Sequence, residues 1–113
     1  MAQKPTRLSE YRSLQSEADF LKAVIEYARL KGWLVYHVHE DAATPRVTRG
    51  SDPGFVDLVL AKQGRLVCAE LKTKRRRPSP SQAVWLAVLR TVEGVQVRVW
   101  WPDDWLDIEE VLT

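Results

Sequence analysis

Two strand-like runs in the middle of the chain constrain its fold more than any other feature. The runs are residues 56–61 and 65–71, and the short connection between them contains Gln63 and Gly64. This spacing predicts a β-hairpin. Both faces of the two strands are largely apolar, which favours a central position in a sheet over a half-exposed edge. The hairpin therefore needs further elements to cover it on both sides.

The flanking segments supply such elements. After Ser16, which is suited to be an N-cap, apolar residues recur at helical spacing until Gly32 ends the pattern. Further along, we predict a strand at 33–39, a long loop at 40–54, a helix at 82–91 capped by Ser79 or Ser81, a strand at 95–100 and a short C-terminal helix at 105–112.

The helix at 82–91 is long enough to be a crossover. We therefore expect parallel third and fourth strands, and an antiparallel meander of the first three. The predicted fold class is α/β, with a central mixed sheet flanked by helices.

Length and composition indicate one folded domain. The chain has 113 residues, of which 45% are hydrophobic and 28% charged. Residues 1–15 are polar and aperiodic, so we expect an N-terminal arm followed by a single domain at 16–113.

Cys68 is the single cysteine, which excludes an internal disulfide and a cysteine-based zinc site. No apolar segment that could serve as a signal peptide follows the polar residues at the start, and no apolar run approaches the roughly 18 residues of a membrane span. We therefore expect a cytoplasmic protein without a membrane partner.

The charges are unevenly distributed. The net charge is only +2, yet residues 72–77 contain five of the seventeen Lys and Arg residues. Elsewhere, the remaining twelve are outnumbered by fifteen Asp and Glu residues. The chain therefore carries one basic cluster on a mildly acidic body, and basic clusters are typical of surfaces that bind phosphate groups.

A pair of carboxylates is predicted within the hairpin. With the turn centred on Gln63 and Gly64, Asp57 lies directly opposite Glu70, and side-chain alternation puts Lys72 on the same face. Facing carboxylates repel each other, and their burial is costly unless they are paired or bind a metal. Mg²⁺ suits such a pair, because it binds one or two carboxylates together with waters and phosphate oxygens. These three residues alone allow the alternative of a salt bridge from Lys72 to one carboxylate on a solvated face.

Two polar residues at helix starts favour the metal site over that alternative. Glu17 lies within the apolar stripe of the first helix and Gln82 within that of the second, so we expect both to point towards the core. Taken singly, Glu17 is an acidic residue of the first turn that the helix dipole favours, and Gln82 is a polar residue typical of the cap region. Taken together beside Asp57, Glu70 and Lys72, they indicate a polar site.

Several short motifs, taken in their order along the chain, resemble those of a known protein family. Asp57 followed by Glu70-Leu71-Lys72 resembles the D…(D/E)xK signature of the PD-(D/E)xK nuclease superfamily. Over residues 16–112 the chain is similar to the small stand-alone VRR-NUC (virus-type replication-repair nuclease) domain proteins of phages and bacteria. The motifs that carry this resemblance are Ser16-Glu17 with Phe20, Gly32-Trp33 with Tyr36-His37, Gly54-Phe55-Val56-Asp57-Leu58, Glu70-Leu71-Lys72-Thr73 and Ser79-Pro80-Ser81-Gln82. The chain departs from the family at Val56, where proline is usual, and at Leu21, where glutamine is frequent.

The resemblance implies a fold and an activity. The fold is a restriction-endonuclease-like αβββαβ core with a short C-terminal helix. The activity is that of a Mg²⁺-dependent endonuclease hydrolysing DNA phosphodiester bonds, with Mn²⁺ as a substitute for Mg²⁺. The stand-alone relatives act as homodimers on branched DNA such as four-way (Holliday) junctions, so DNA and a second copy are the expected partners and DNA repair the expected context.

The resemblance also implies roles for individual residues. Asp57 and Glu70 would ligate the metal together with the Leu71 carbonyl, and Glu17 would do so directly or through water. Lys72 would orient or activate the attacking water and stabilise charge in the transition state. Gln82 would help to position the site.

Basic residues near this site are candidates for phosphate contact. We expect contact from the run after Lys72, rather than only a solvated charge run, because it lies at the rim of the site. Arg46 and Arg49 add to the same surface unless their long loop is simply mobile. His37 and His39 share one strand face without a third ligand, so packing or DNA contact is expected rather than metal binding. The candidate DNA-binding residues are Lys74, Arg75, Arg76, Arg77, Arg46, Arg49 and His37.

Two other functions remain as alternatives. One is a non-catalytic DNA-binding module that retains the fold, although the presence of Glu17, Asp57, Glu70 and Lys72 argues against it. The other is a structural subunit whose basic loop binds an acidic protein partner. Such a subunit should bind no Mg²⁺.

Among the tryptophans, Trp101 is the candidate for an exposed or interface position.

Overall fold

The computed structural model of the chain describes residues 16–38 and 50–113. Its elements follow the predicted order, and the mixed α/β class with a sheet flanked by helices is confirmed. They are helix α1 (Glu17–Leu30), strands β1 (Leu34–His37), β2 (Leu58–Lys62) and β3 (Arg65–Leu71), helix α2 (Pro80–Leu89), strand β4 (Val95–Trp100), a 3-10 turn (Pro102–Asp104) and helix α3 (Trp105–Val111). The predicted arm at 1–15 lies outside the described residues.

The sheet has four strands in the order β1-β2-β3-β4. β1, β2 and β3 pair antiparallel, and β3 pairs parallel with β4, as the crossover through α2 predicts. In the hairpin, Leu58 pairs with Ala69 and Lys62 with Arg65. This is the predicted register, and it places Asp57, one residue before β2, opposite Glu70 in β3.

Helices cover both faces of the sheet. On one face, α1 and α3 pack on the strands in the larger apolar cluster, which includes Phe20, Leu60 and Trp105. On the other face, Leu86 of α2 packs with Cys68 and other residues in a smaller cluster. The two central strands are thus buried on both sides, which explains why their sequences are apolar without alternation.

Some element boundaries differ from the predicted ones. Helix α2 begins at Pro80 rather than at residue 82, because Ser79 is the N-cap and proline is tolerated in the first helical turn. Strand β1 is shorter than predicted and ends at His37. Strand β2 begins at Leu58 rather than at residue 56, because the Asp57 carboxylate, instead of a strand carbonyl, accepts the Leu71 N–H. None of the helices within residues 16–38 and 50–113 has the length and hydropathy needed to cross a membrane.

Candidate active site

A cavity of about 400 Å³ lies beside the end of β3 where Glu70 is located. It brings together five residues from four segments of the chain, all of which the sequence singles out. They are Glu17, Asp57, Glu70, Lys72 and Gln82. Because the pairing of β2 with β3 and the start of α2 fix four of them, the convergence follows from the fold.

Asp57 is held by the backbone on both sides. Its Oδ2 accepts a hydrogen bond of 2.8 Å from the Leu71 N–H, and its carbonyl accepts one of 2.9 Å from the Val38 N–H. These contacts join Asp57 to β3 and to the end of β1. The carboxylate is therefore fixed before any ligand binds.

Glu70 is the most unusual residue of the cavity. It lies near the end of β3, one of the two central strands, with 1% of the residue exposed, and its Oε1 is buried without a hydrogen-bond partner. Burial, and secondarily the negative charge of Asp57, raises the pKa of Glu70 from 4.5 to about 7. A buried, partly unsatisfied acid is unfavourable for folding, which makes Glu70 the leading candidate for a functional residue of the cavity.

Lys72 and Gln82 both contact one carboxylate oxygen of Glu70. The Lys72 ammonium lies 3.0 Å from Glu70 Oε2, and the Gln82 side-chain amide donates to the same oxygen at 2.7 Å. Lys72 also donates to Gln82 Oε1 at 2.9 Å. The predicted alternative of a salt bridge is therefore present, but it lies in a buried network rather than on a solvated face.

Gln82 is oriented by the start of α2. Its Oε1 accepts a hydrogen bond of 2.8 Å from the Ser79 N–H, while the Ser79 hydroxyl accepts one from the Gln82 N–H, forming a capping box. The oxygen and nitrogen of the amide are thereby distinguished, since one end accepts from Ser79 and Lys72 and the other donates to Glu70. Gln82 therefore caps the start of α2 and at the same time binds Glu70 and Lys72.

Gly54 brings the segment before Asp57 against the start of α2. Its φ is +95°, and a Cβ at this position would lie 2.5 Å from the Ser81 carbonyl carbon and 2.7 Å from the Gln82 nitrogen. Only glycine permits this approach without displacement. The neighbouring Phe55 packs edge-to-face on Trp85 with ring centroids 4.9 Å apart. Gly54 therefore fixes the distance between the Asp57 and Gln82 segments.

Glu17 and Leu71 reach the cavity in ways that the sequence does not predict. Glu17 lines the cavity, but it is exposed rather than directed into the core, because the first turn of α1 extends to the cavity rim. Leu71 also lines the cavity, and its backbone N–H binds Asp57. His37, at the end of β1, is a half-buried lining residue.

The predicted DNA-binding residues are divided by the structure. All four residues of the run from Lys74 to Arg77 are exposed, and Arg76 is the one of them that lines the cavity. Arg46 and Arg49, and also His39, lie outside the described residues.

The donor set of the cavity fits a hard divalent cation bound by few protein ligands. In the described parts of the chain, no group of three or more His, Cys, Asp or Glu residues is arranged to hold a metal, so Glu17 does not join Asp57 and Glu70 as a third carboxylate. Two carboxylates are nevertheless the usual protein share at a Mg²⁺ site, with waters and phosphate oxygens supplying the rest. The unpartnered Glu70 Oε1 is an oxygen of the required kind.

The sequence assigns no role at the site to two residues that the structure places at or near the cavity. Thr73 lines the cavity and is 2% exposed. Trp101, the candidate for an exposed or interface position, is half-buried and donates from Nε1 to the Arg76 carbonyl at 2.8 Å. The position of Thr73 directly after Lys72 in a motif is a sequence signal for its place at the cavity, whereas the contact of Trp101 depends on tertiary structure.

Comparison with known proteins adds no assignment to these observations. No family model matches the chain, and no curated protein or solved structure shows significant similarity to it.

Proposed function

We propose that this protein is a divalent-metal-dependent endodeoxyribonuclease that hydrolyses DNA phosphodiester bonds. We further propose that it is a VRR-NUC protein with the restriction-endonuclease-like fold of the PD-(D/E)xK superfamily. The order α-β-β-β-α-β and the mixed sheet are compatible with that fold.

One observation carries the proposal: a buried, partly unsatisfied Glu70 faces Asp57 beside Lys72. A purely structural ion pair needs one carboxylate and one ammonium group, and the second carboxylate only raises its cost. A cation site for phosphate chemistry needs two carboxylates and benefits from an adjacent ammonium group. The surplus negative charge therefore favours the cation site over a structural network.

Asp57 and Glu70 would hold the metal, and the Leu71 carbonyl and a water-mediated contact to Glu17 are compatible additions. Bound there, Mg²⁺, or Mn²⁺ in its place, supplies a nucleophilic water at neutral pH and offsets the charge that develops on the phosphate.

The remaining side chains act on the substrate and on the carboxylates. The side chain of Lys72 is 14% exposed and lies within hydrogen-bond distance of Glu70. From there its ammonium group would border the reacting phosphate and orient the attacking water. Gln82 holds Lys72 and Glu70 in a fixed relation through its two amide atoms. Such prior orientation lowers the cost of reaching the transition state.

DNA is the proposed substrate because the cavity rim is basic. Arg76 lines the cavity, and Lys74, Arg75 and Arg77 extend the positive charge outward on the same loop, where they suit backbone phosphates. Action on branched DNA, and a homodimer whose two sites cut paired strands, are proposed on the family resemblance alone.

Cleavage of labelled linear, flapped and four-way-junction DNA with Mg²⁺, Mn²⁺ or EDTA tests the function. We expect metal-dependent cutting by the wild type and a loss of at least about 100-fold in Glu70→Gln and Lys72→Ala. Matched controls are Glu26→Gln and Lys22→Ala, which change the same residue types in an exposed i,i+4 pair of α1. These controls should cut like the wild type.

The other outcomes distinguish the alternatives. Undiminished cutting in both site variants would refute the site assignment. DNA binding without cutting under any condition would favour the non-catalytic module. Absence of both DNA binding and calorimetric Mg²⁺ binding would favour a structural subunit.

A further inference from the structure

The chain after β3 forms a constrained loop that carries four consecutive basic residues. This basic loop consists of Lys74, Arg75, Arg76 and Arg77. Lys74 and Arg75 have φ angles of 52° and 60°, in the left-handed region that side-chain-bearing residues rarely adopt. The Arg76 N–H donates to the Thr73 carbonyl at 3.0 Å and closes the turn. Two such residues in succession are unfavourable and persist only where other contacts hold them.

Trp101, the residue directly after β4, provides such a contact. Its Nε1 donates to the Arg76 carbonyl at 2.8 Å, and its own backbone N–H donates to Asp104 Oδ2 at 2.9 Å. The parallel pairing of β3 with β4 continues to this point, because the Lys72 N–H donates to the Trp100 carbonyl at 2.9 Å. Trp101 is thereby placed beside the loop and attached to a fixed turn.

One basic side chain of the loop reaches the cavity, and it belongs to the residue whose carbonyl Trp101 binds. Of the four residues of the basic loop, Arg76 alone lines it, and it shares the lining with the buried Thr73. Lys72 is already engaged by Glu70 and Gln82. A guanidinium group and a threonine hydroxyl are both common ligands of phosphate oxygens.

We propose that Arg76 and Thr73 form a subsite for a nucleic-acid backbone phosphate next to the phosphate at the carboxylate pair, and that Trp101 is the positioning residue that holds Arg76 there. The identity of the ligand rests on the proposed function. The positioning role of Trp101 rests on the geometry of the loop alone.

Limited proteolysis with trypsin tests the positioning role without DNA or metal. Trp101→Phe keeps an aromatic ring and removes the Nε1 donor. We expect cleavage after Lys74, Arg75 or Arg76, identified by mass spectrometry, to be about fivefold faster than in the wild type, as the loss of one hydrogen bond implies. Trp33→Phe is the matched control, because Trp33 Nε1 has no hydrogen-bond partner. Equal cleavage of the basic loop in Trp101→Phe and the wild type would overturn the positioning role.

Binding of labelled duplex and four-way-junction DNA tests the subsite. The titrations use Ca²⁺ in place of Mg²⁺, with the DNA checked on a gel to be intact. We expect Arg76→Gln to weaken binding about tenfold. Arg75→Gln removes the same charge from a residue of the loop that does not line the cavity, and we expect a smaller loss, of less than about threefold. Thr73→Val, which keeps the side-chain shape, should weaken binding about threefold.

Equal losses in Arg75→Gln and Arg76→Gln would overturn the subsite in favour of a diffuse basic surface, and absence of DNA binding by the wild type would overturn it outright. Failure of the wild type to cut DNA, combined with a larger loss in Arg76→Gln than in Arg75→Gln, would refute the proposed hydrolysis and support the subsite.

Discussion

Replacing Glu70 by glutamine is expected to stabilise the metal-free protein at neutral pH while abolishing the proposed activity. The Glu70 carboxylate is buried opposite Asp57, and its Oε1 lacks a hydrogen-bond donor. In Glu70→Gln, the amide oxygen keeps the bond from Gln82, and the amide nitrogen provides a donor towards Asp57. The substitution therefore removes a buried charge and replaces the unpartnered Oε1 with an amide group of the same size that can donate a hydrogen bond.

The size and pH range of the effect follow from the pKa of Glu70, which burial and the charge of Asp57 raise from 4.5 to about 7. Because the folded-state pKa exceeds the unfolded value, protonation of Glu70 stabilises the fold. This contribution is fully present below pH 4.5 and is lost as the pH rises through about 7. The upper limit of the difference is about 3 kcal/mol in the free energy of unfolding. Glu70→Gln should thus resemble the wild type below pH 4.5 and exceed its stability above pH 7.

Urea denaturation followed by tryptophan fluorescence at pH 4 to 8.5, with EDTA present, measures this difference. Glu26→Gln, an exposed change of the same kind on α1, should shift stability by less than about 0.5 kcal/mol. Addition of Mg²⁺ at pH 8 should then stabilise the wild type, by about 1.4 kcal/mol at ten times the dissociation constant, and leave Glu70→Gln unchanged. A variant that is less stable than the wild type at pH 8, or a difference that does not vary with pH, would refute the reasoning.

Three further predictions address the supports of the site. Gly54→Ala should lower the free energy of unfolding by at least about 2 kcal/mol in urea denaturation, because its Cβ would collide with the start of α2; unchanged stability would show that the two segments do not touch. Gln82→Ala should reduce DNA cleavage at least about tenfold, because the amide that binds both Lys72 and Glu70 is lost. The circular dichroism spectrum should be unchanged, and full activity would refute the positioning role of Gln82. Arg65→Met should cost about 2 kcal/mol in thermal denaturation, since Arg65 stacks on Trp33 and binds a carbonyl of α3, but should leave calorimetric Mg²⁺ binding intact; weakened metal binding would contradict this separation.

The fold was largely predictable because its strongest signals are local. The hairpin turn at Gln63 and Gly64 sets the register of β2 and β3, and Ser16 caps α1 as predicted. The boundaries of β2 and α2 were less predictable. They depend on the Asp57 carboxylate replacing a strand carbonyl and on the capping box of Ser79, and both are side-chain contacts that periodicity does not reveal.

The candidate site was predictable where it follows from strand register and helix periodicity. Asp57, Glu70 and Lys72 meet because the register fixes them, and Gln82 meets them because it lies in the first turn of α2. Helix periodicity gave the correct face for Glu17 but not its exposure, which depends on where the core ends. The contact between Trp101 and Arg76 joins residues 25 positions apart and requires the parallel pairing of β3 with β4, so no local pattern indicates it.

The small net charge of the chain is compatible with the proposed DNA substrate because opposite charges occupy separate parts of the site. Asp57 and Glu70 lie within the cavity, whereas the basic loop is at its rim. In the absence of a cation, a phosphate drawn in by the rim would meet the two carboxylates of Asp57 and Glu70, and the ammonium group of Lys72 is engaged by Glu70. A divalent cation reverses the local sign and leaves Lys72 less strongly attracted to Glu70. Productive binding of DNA and binding of the metal should therefore favour each other, and a low total charge limits DNA binding when the metal is absent.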